Sequence, residues 1–331
     1  MLIHQIIRPI AIASALLLAL TFHNAASGAD RIAQYPTKPI RLILPFAPGG
    51  GADLTGRLVA PGLTERLGQP VVMDNRPASA GIVGAEIAAR AAPDGYTLLI
   101  ATSSFAANPS IYKKLPYDVV KDFAPITLAV NSPLVVVVHP SVPAKTMQEL
   151  IAYARANPNK LNYGSSGSGG APHIAGEMLK SMARIEMVHI TYKGIGPALT
   201  ALLGNEVQLT FSNLFVAQPH ISSGRMRALA ITSAERSKAK PEWPTVAESG
   251  LPDYQTGLWF GFMAPAATPN PIVRRLHKEL VSILTQPEML NNIRSQGGDV
   301  VASTPEAFAG ILRDDIVRYG KIIRAAGIVQ Q

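Results

Sequence analysis

A strand running into a glycine-rich loop and then a helix start is the order that most restricts what this chain can fold into. It occurs three times. Ile40–Leu44 runs into Pro45-Phe46-Ala47-Pro48-Gly49-Gly50-Gly51-Ala52-Asp53. Tyr163 runs into Gly164-Ser165-Ser166-Gly167-Ser168-Gly169-Gly170-Ala171-Pro172-His173, and Thr191-Tyr192 into Lys193-Gly194-Ile195-Gly196-Pro197. A fourth strand end, Ala101-Thr102-Ser103-Ser104-Phe105, is rich in hydroxyls. Glycines let a backbone approach a ligand closely, and a helix start adds exposed N–H groups and partial positive charge. Such loops suit a carboxylate or a phosphate. Four of them predict one shared crevice at the carboxyl edges of the sheets, walled by Phe46, Phe105 and Phe215. The Walker lysine and the G-x-G-x-x-G spacing are missing, so a nucleotide is not supported.

Between these loops, strand-like and helix-like segments alternate, which predicts an α/β protein with mainly parallel sheets. Leu54, Leu58, Leu63 and Leu67 mark a helix, and Pro61-Gly62 within it predicts a kink or two short pieces. Val71–Met73 and Tyr96–Ala101 read as strands. Leu134–Val138 is nearly all β-branched, the pattern of a strand buried on both faces, as in parallel sheets. Thr146-Met147-Gln148-Glu149 is a capping box, and its helix ends before Pro158. Further strands are expected over Met187–Tyr192, Val207–Phe211 and Arg227–Thr232, and a helix over Pro197–Leu203. Pro271 opens one late helix and Pro305 the last, with Phe308, Leu312, Ile316, Tyr319 and Ile323 on one side.

Composition removes several functions. The 331 residues carry a net charge of +8, but Lys and Arg are dispersed and only 16% of residues are charged, so nucleic acid is not an expected partner. The absence of cysteine excludes disulfides, thiolate metal sites and a cysteine nucleophile. His139, His173, His189, His220 and His277 are scattered with no H-E-x-x-H, so neither a metal nor a cofactor is expected. Two local readings stay open. Asp53 is a helix N-cap or a ligand-facing acceptor, and His173 is a structural hydrogen-bonding group or a base.

Residues 1–29 have the three parts of a cleavable export signal: His4 and Arg8, an apolar run from Pro9 to Phe22, and small residues Ala25-Ala26-Ser27-Gly28-Ala29. No cysteine follows, which closes the lipoprotein route. The expectation is a soluble, unlipidated periplasmic protein beginning near Asp30.

Several ordered motifs resemble one family along nearly the whole remaining chain. They include Tyr35-Pro36-Thr37-Lys38-Pro39-Ile40, Pro45-Phe46-Ala47-Pro48-Gly49-Gly50, Asp74-Asn75-Arg76-Pro77 and Ala92-Pro93-Asp94-Gly95-Tyr96-Thr97-Leu98. Leu115-Pro116-Tyr117-Asp118, Lys121-Asp122-Phe123-Ala124-Pro125-Ile126, Tyr192-Lys193-Gly194, Pro219-His220-Ile221 and Pro244-Thr245-Val246-Ala247-Glu248-Ser249-Gly250-Leu251-Pro252 continue the series. The chain is thereby similar to the substrate-binding proteins of tripartite tricarboxylate transporters, the Bug-type or TctC-like receptors. The resemblance implies a two-lobed periplasmic-binding-protein fold, type II-like, with no covalent chemistry. It implies one lobe from residues 30–130 plus 256–331, another from 131–255, and a ligand cleft between them. It implies contacts from Phe46, Gly49, Gly50, Asp53, Thr102 and Ser103 on one side, and from Ser165, Ser166, His173, Tyr192, Gly194 and Asn213 on the other. It also implies a monomer that captures a small organic carboxylate, di-, tri- or aromatic, for TctA/TctB-like permease subunits. The chain departs from the family at Ser212-Asn213, where an acidic residue is frequent, and at Ala78-Ser79-Ala80, where glycines are common.

Two alternatives accompany this expectation. One is a periplasmic sensor presenting the same ligand to a membrane kinase. The other is a hydrolase using His173 with a serine from Ser165–Ser168.

Overall fold

The structure is a computed structural model and describes residues 34–237, 240–295 and 297–328. The export-signal expectation for residues 1–29 lies outside the described residues. Two sheets, each flanked by helices, make up the fold.

The first sheet is assembled from both ends of the chain. Its strands are β1 (Ile40–Leu44), β2 (Val71–Asn75), β3 (Thr97–Thr102), β4 (Phe123–Ser132), β10 (Leu258–Pro265) and β11 (Asp299–Val300), in spatial order β11-β4-β10-β3-β1-β2. The second sheet holds β5 (Leu134–Val138), β6 (Asn162–Ser165), β7 (Val188–Thr191), β8 (Leu209–Asn213) and β9 (Arg227–Ile231), in order β7-β6-β8-β5-β9. The chain crosses to the second sheet at Pro133 and returns between Ile231 and Leu258.

Both sheets are mixed. β1 is parallel to β2 and β3, while β10 runs antiparallel to β3 and β4. β5 is wholly buried, as its composition predicts, yet both its neighbours, β8 and β9, are antiparallel. Only Pro133 separates β4 from β5, so no helical crossover sets its direction. Helices on both faces of the sheet supply the burial that a fully parallel sheet would also give.

The helices are α1 (Gly51–Leu67), α2 (Ile82–Ala89), α3 (Ser103–Ile111), α4 (Met147–Ala156), α5 (Ala171–Ala183), α6 (Ile195–Leu203), α7 (Leu214–Ser222), α8 (Asn270–Leu284), α9 (Pro287–Ser295) and α10 (Pro305–Ala325). α1 is one continuous helix through Pro61 rather than two pieces. Val59, Leu63 and Leu67 are buried along it, which holds the helix across the single lost amide bond. Gly62 lets Ile283 of α8 close in, since a Cβ there would lie 3.1 Å from Ile283 Cδ1. In α4, the Thr146 hydroxyl accepts from the Glu149 amide at 3.1 Å, as the capping box predicts. α10 carries Asp315 among its apolar residues, and the buried Trp259 indole N–H donates to that carboxylate at 2.6 Å.

Candidate functional site: a cleft of helix N-termini

Five helices begin at one cleft between the sheets. The lining includes Gly50, Gly51 and Ala52 at the start of α1, Thr102 and Ser104 at α3, and Pro172 at α5. Ile195 at α6 and Asn213 at α7 complete the set. None of the five has a side-chain N-cap hydrogen bond. Of the helices that start elsewhere, α4 and α10 are capped by a threonine hydroxyl, while α2 and α8 also lack a side-chain cap, so it is the convergence of the five starts that sets the cleft apart. The first amides of any helix lack partners within it, so five starts at one place concentrate N–H donors and positive dipole ends. Phe46, Leu134, Leu258 and Phe260 add apolar wall, and among the described residues no charged side chain lines the cleft.

Hydrogen bonds join the two sides. Ala47 N–H donates to Lys193 O at 3.0 Å, joining the β1–α1 loop to the β7–α6 loop. Gly194 sits here at φ +148°, and a Cβ would come within 3.2 Å of Ala47 N. Tyr112 O–H donates to Ser168 O at 2.6 Å, and Ala171 N–H to Ser104 Oγ at 3.2 Å.

The residues expected at the site do not all meet in the cleft. Phe46, Gly50, Thr102, Ser166 and Asn213 line the cleft. Gly49 and Tyr192 instead border a separate outer groove beside α6. Asp53 is neither a cap nor a lining residue. Gly50 is the N-cap of α1, and Asp53, three residues on, reaches back to accept from Gly49 N–H at 3.1 Å. It also accepts from Arg57 at 2.8 Å and Asn75 at 3.3 Å. Burial works against its charge, but these hydrogen bonds together outweigh it and hold the carboxyl below the usual range. Ser103 turns away, its hydroxyl donating to Gly257 O at 3.4 Å.

Ser165 and His173 support the second loop from behind. Ser165 Oγ pairs with His189 Nε2 at 2.6 Å and accepts from Gly167 N–H at 3.2 Å. His173 Nδ1 accepts from Gly169 N–H at 3.1 Å, and its ring stacks on His189 with centroids 4.2 Å apart. Burial lowers the pKa of His173, with Lys180 adding to the shift and Glu177 opposing it. His189 is pushed down to about 3 by burial, then by His173 and Lys180. The two neutral rings brace the loop. Ser165 is fully buried and its partner is His189, so the Ser165–His173 pair of a hydrolase does not form.

Phe105 is core rather than cleft wall, stacked on Tyr117 at 5.6 Å and edge-on to Phe123 at 4.9 Å. The side chain of Phe215 lies outside the described residues. Phe260 takes the wall position, and sequence reasoning missed it along with Ser104, Leu134, Ile195 and Leu258. Ser104 was visible in the hydroxyl-rich strand end. Phe260 and Leu258 carry no such signal, because they come from a strand far along the chain.

Comparison with known proteins agrees with this architecture. Residues 55–328 match the model of the tripartite tricarboxylate transporter family receptor. BugT of Bordetella pertussis is 37% identical over 297 residues, covering 88% of this chain and 90% of that protein. The structure of R. palustris Rpa4515 with adipate superposes with a TM-score of 0.87 at 34% identity, covering 90% of this chain and 100% of the other. MatC from Rhodopseudomonas palustris with bound malate gives a TM-score of 0.84 at 29% identity, covering 87% and 100%. With a match of this extent over the same two-sheet fold, the chain belongs to the tripartite tricarboxylate transporter receptor family, whose members are solute-binding proteins and not enzymes.

Proposed function

We propose that this chain is a periplasmic receptor that closes two lobes around a small organic carboxylate and hands it to a tripartite tricarboxylate-type permease with TctA/TctB-like subunits. The observation that carries the proposal is the convergence of five helix starts on a cleft that, among the described residues, is lined by no charged side chain. A carboxylate there is held by main-chain donors and helix dipoles. The adipate and malate of the two related structures are of the same chemical class.

In this proposal residues 30–130 plus 256–331 form one lobe and 131–255 the other. Phe46, Gly50, Thr102, Ser166 and Asn213 touch the ligand. Gly49, Asp53, Ser103, Ser165, His173 and Gly194 shape the loops that hold it, and Tyr192 stands at the outer edge.

A thermal-melt panel of di-, tri- and aromatic carboxylates on protein refolded free of ligand tests the proposal. At a hundredfold excess over Kd, binding stabilises by about 2.7 kcal/mol, which raises the melting temperature by several degrees. The expected result is such a shift with at least one carboxylate. No shift with any of them overturns the proposal.

A further inference from the structure

Asn213 ends β8 and caps α7, yet its side chain does not turn back onto the helix. An asparagine at this position ordinarily accepts from an amide of the first turn. Here the residue is 1% exposed, it lines the cleft, and neither Nδ2 nor Oδ1 has a hydrogen-bond partner among the described residues. Buried polar atoms are nearly always satisfied, so a donor and an acceptor left together point to a ligand. The opposite wall makes room for them. A Cβ on Gly51 would lie 2.0 Å from Asn213 Nδ2 and 2.4 Å from Phe260 Cζ, so any larger residue there would force the carboxamide and the ring to shift.

The charge environment narrows what group fits. A carboxamide is neutral, and no lining residue supplies a counter-charge for an ammonium group. The Asp53 carboxylate does not line the cleft and is already engaged by Gly49, Arg57 and Asn75. A hydroxyl both donates and accepts, as the Asn213 amide requires. We propose that Asn213 is the specificity-determining residue of this cleft and selects carboxylates bearing a neutral hydroxyl over their amino and unsubstituted analogues. This rests on the carboxylate reading above and goes beyond it by naming the substituent that is read.

Matched trios test it by calorimetry on the full chain freed of ligand. They are malate, succinate and aspartate; 2-hydroxyglutarate, glutarate and glutamate; and lactate, propionate and alanine. The expected result, in any trio with a measurable Kd, is that the hydroxy member binds at least tenfold tighter than the unsubstituted one and the amino member binds weakest. In Asn213→Asp the amino member gains at least tenfold relative to the hydroxy member, because the new carboxylate supplies the missing counter-charge. Asn213→Leu brings the hydroxy and unsubstituted members to within about twofold of each other. Circular dichroism melts of both variants show that they fold, and if one does not, the other carries the test.

Equal or inverted preference in the unaltered protein overturns the inference, as does an unchanged order in Asn213→Asp. In both cases a measurable Kd for some carboxylate leaves the receptor reading standing. If no carboxylate binds in any trio or in the wider melt panel, the inference and the reading beneath it fall together.

Discussion

Replacing Gly196 with alanine separates closure of the cleft from stability of the fold. Gly196 is the second residue of α6, in ordinary helical conformation. A Cβ there would sit 2.8 Å from Pro48 O and 3.3 Å from Gly49 C, both main-chain atoms of the opposing β1–α1 loop. Neither can swing aside as the tip of a side chain can. If the lobes open and close as proposed, the clash exists only when the two sides meet as described, and an open form would not feel it. Alanine is also the better helix former, so the unliganded fold gains up to about 1 kcal/mol. Overpacking a close contact costs about 1–3 kcal/mol, here charged to the closed state alone. At about 1.4 kcal/mol per tenfold, Kd rises by roughly 5- to 150-fold. The assay is paired: calorimetry with the carboxylate giving the largest melting shift, and a melt of the unliganded variant. The expected pattern is weaker binding with an equal or higher unliganded melting temperature. A Kd within twofold of the unaltered protein refutes the reasoning, and so does a lower unliganded melting temperature with unchanged affinity.

Two further outcomes are expected. The unfolded chain protonates its histidines below about pH 6.5 while folded His189 stays neutral down to about 3. Stability therefore rises with pH across that window and is lost on acidification, by at most about 1.4 kcal/mol per pH unit for this group; melts from pH 7 to 4 show a slope that His189→Gln flattens, and an unchanged slope in the variant counts against the buried His189 as its source. Removing the Asp315 carboxylate as Asp315→Ala strands the buried Trp259 N–H, which donates to it at 2.6 Å. The expected loss is about 1–3 kcal/mol by urea denaturation, with a shift in Trp259 emission, and stability within 0.5 kcal/mol of the unaltered protein would contradict it.

What could be read in advance was what repeats locally. The strand–glycine–helix junctions near Gly50, Gly170 and Gly194 are each visible within a dozen residues, and each opens a helix at the cleft. The Thr146–Glu149 box is equally local and holds. What failed depends on distant partners. Phe105 lies next to cleft residues in sequence, but Tyr117 and Phe123 draw its ring into the core. Ser165 pairs with His189, on the neighbouring strand β7, rather than with the nearer His173. Following the glycines, Asp53 reads as a cap or a ligand-facing acceptor, but Gly50 already begins the helix and leaves the carboxylate to brace Gly49. The antiparallel entry of β5 turned on a connection of one proline.

The uncapped helix starts also bear on how such a protein diverges. A grip made of main-chain amides is written in backbone shape, and no single side-chain replacement deletes a donor, proline excepted. If the cleft grips an anion as proposed, mutations can accumulate around it while that hold persists, the close-packed glycines excepted. Discrimination among anions then falls to the few side chains that reach the interior, of which Asn213 is one. A lineage built this way can change what it carries in one or two steps without first losing the ability to carry anything.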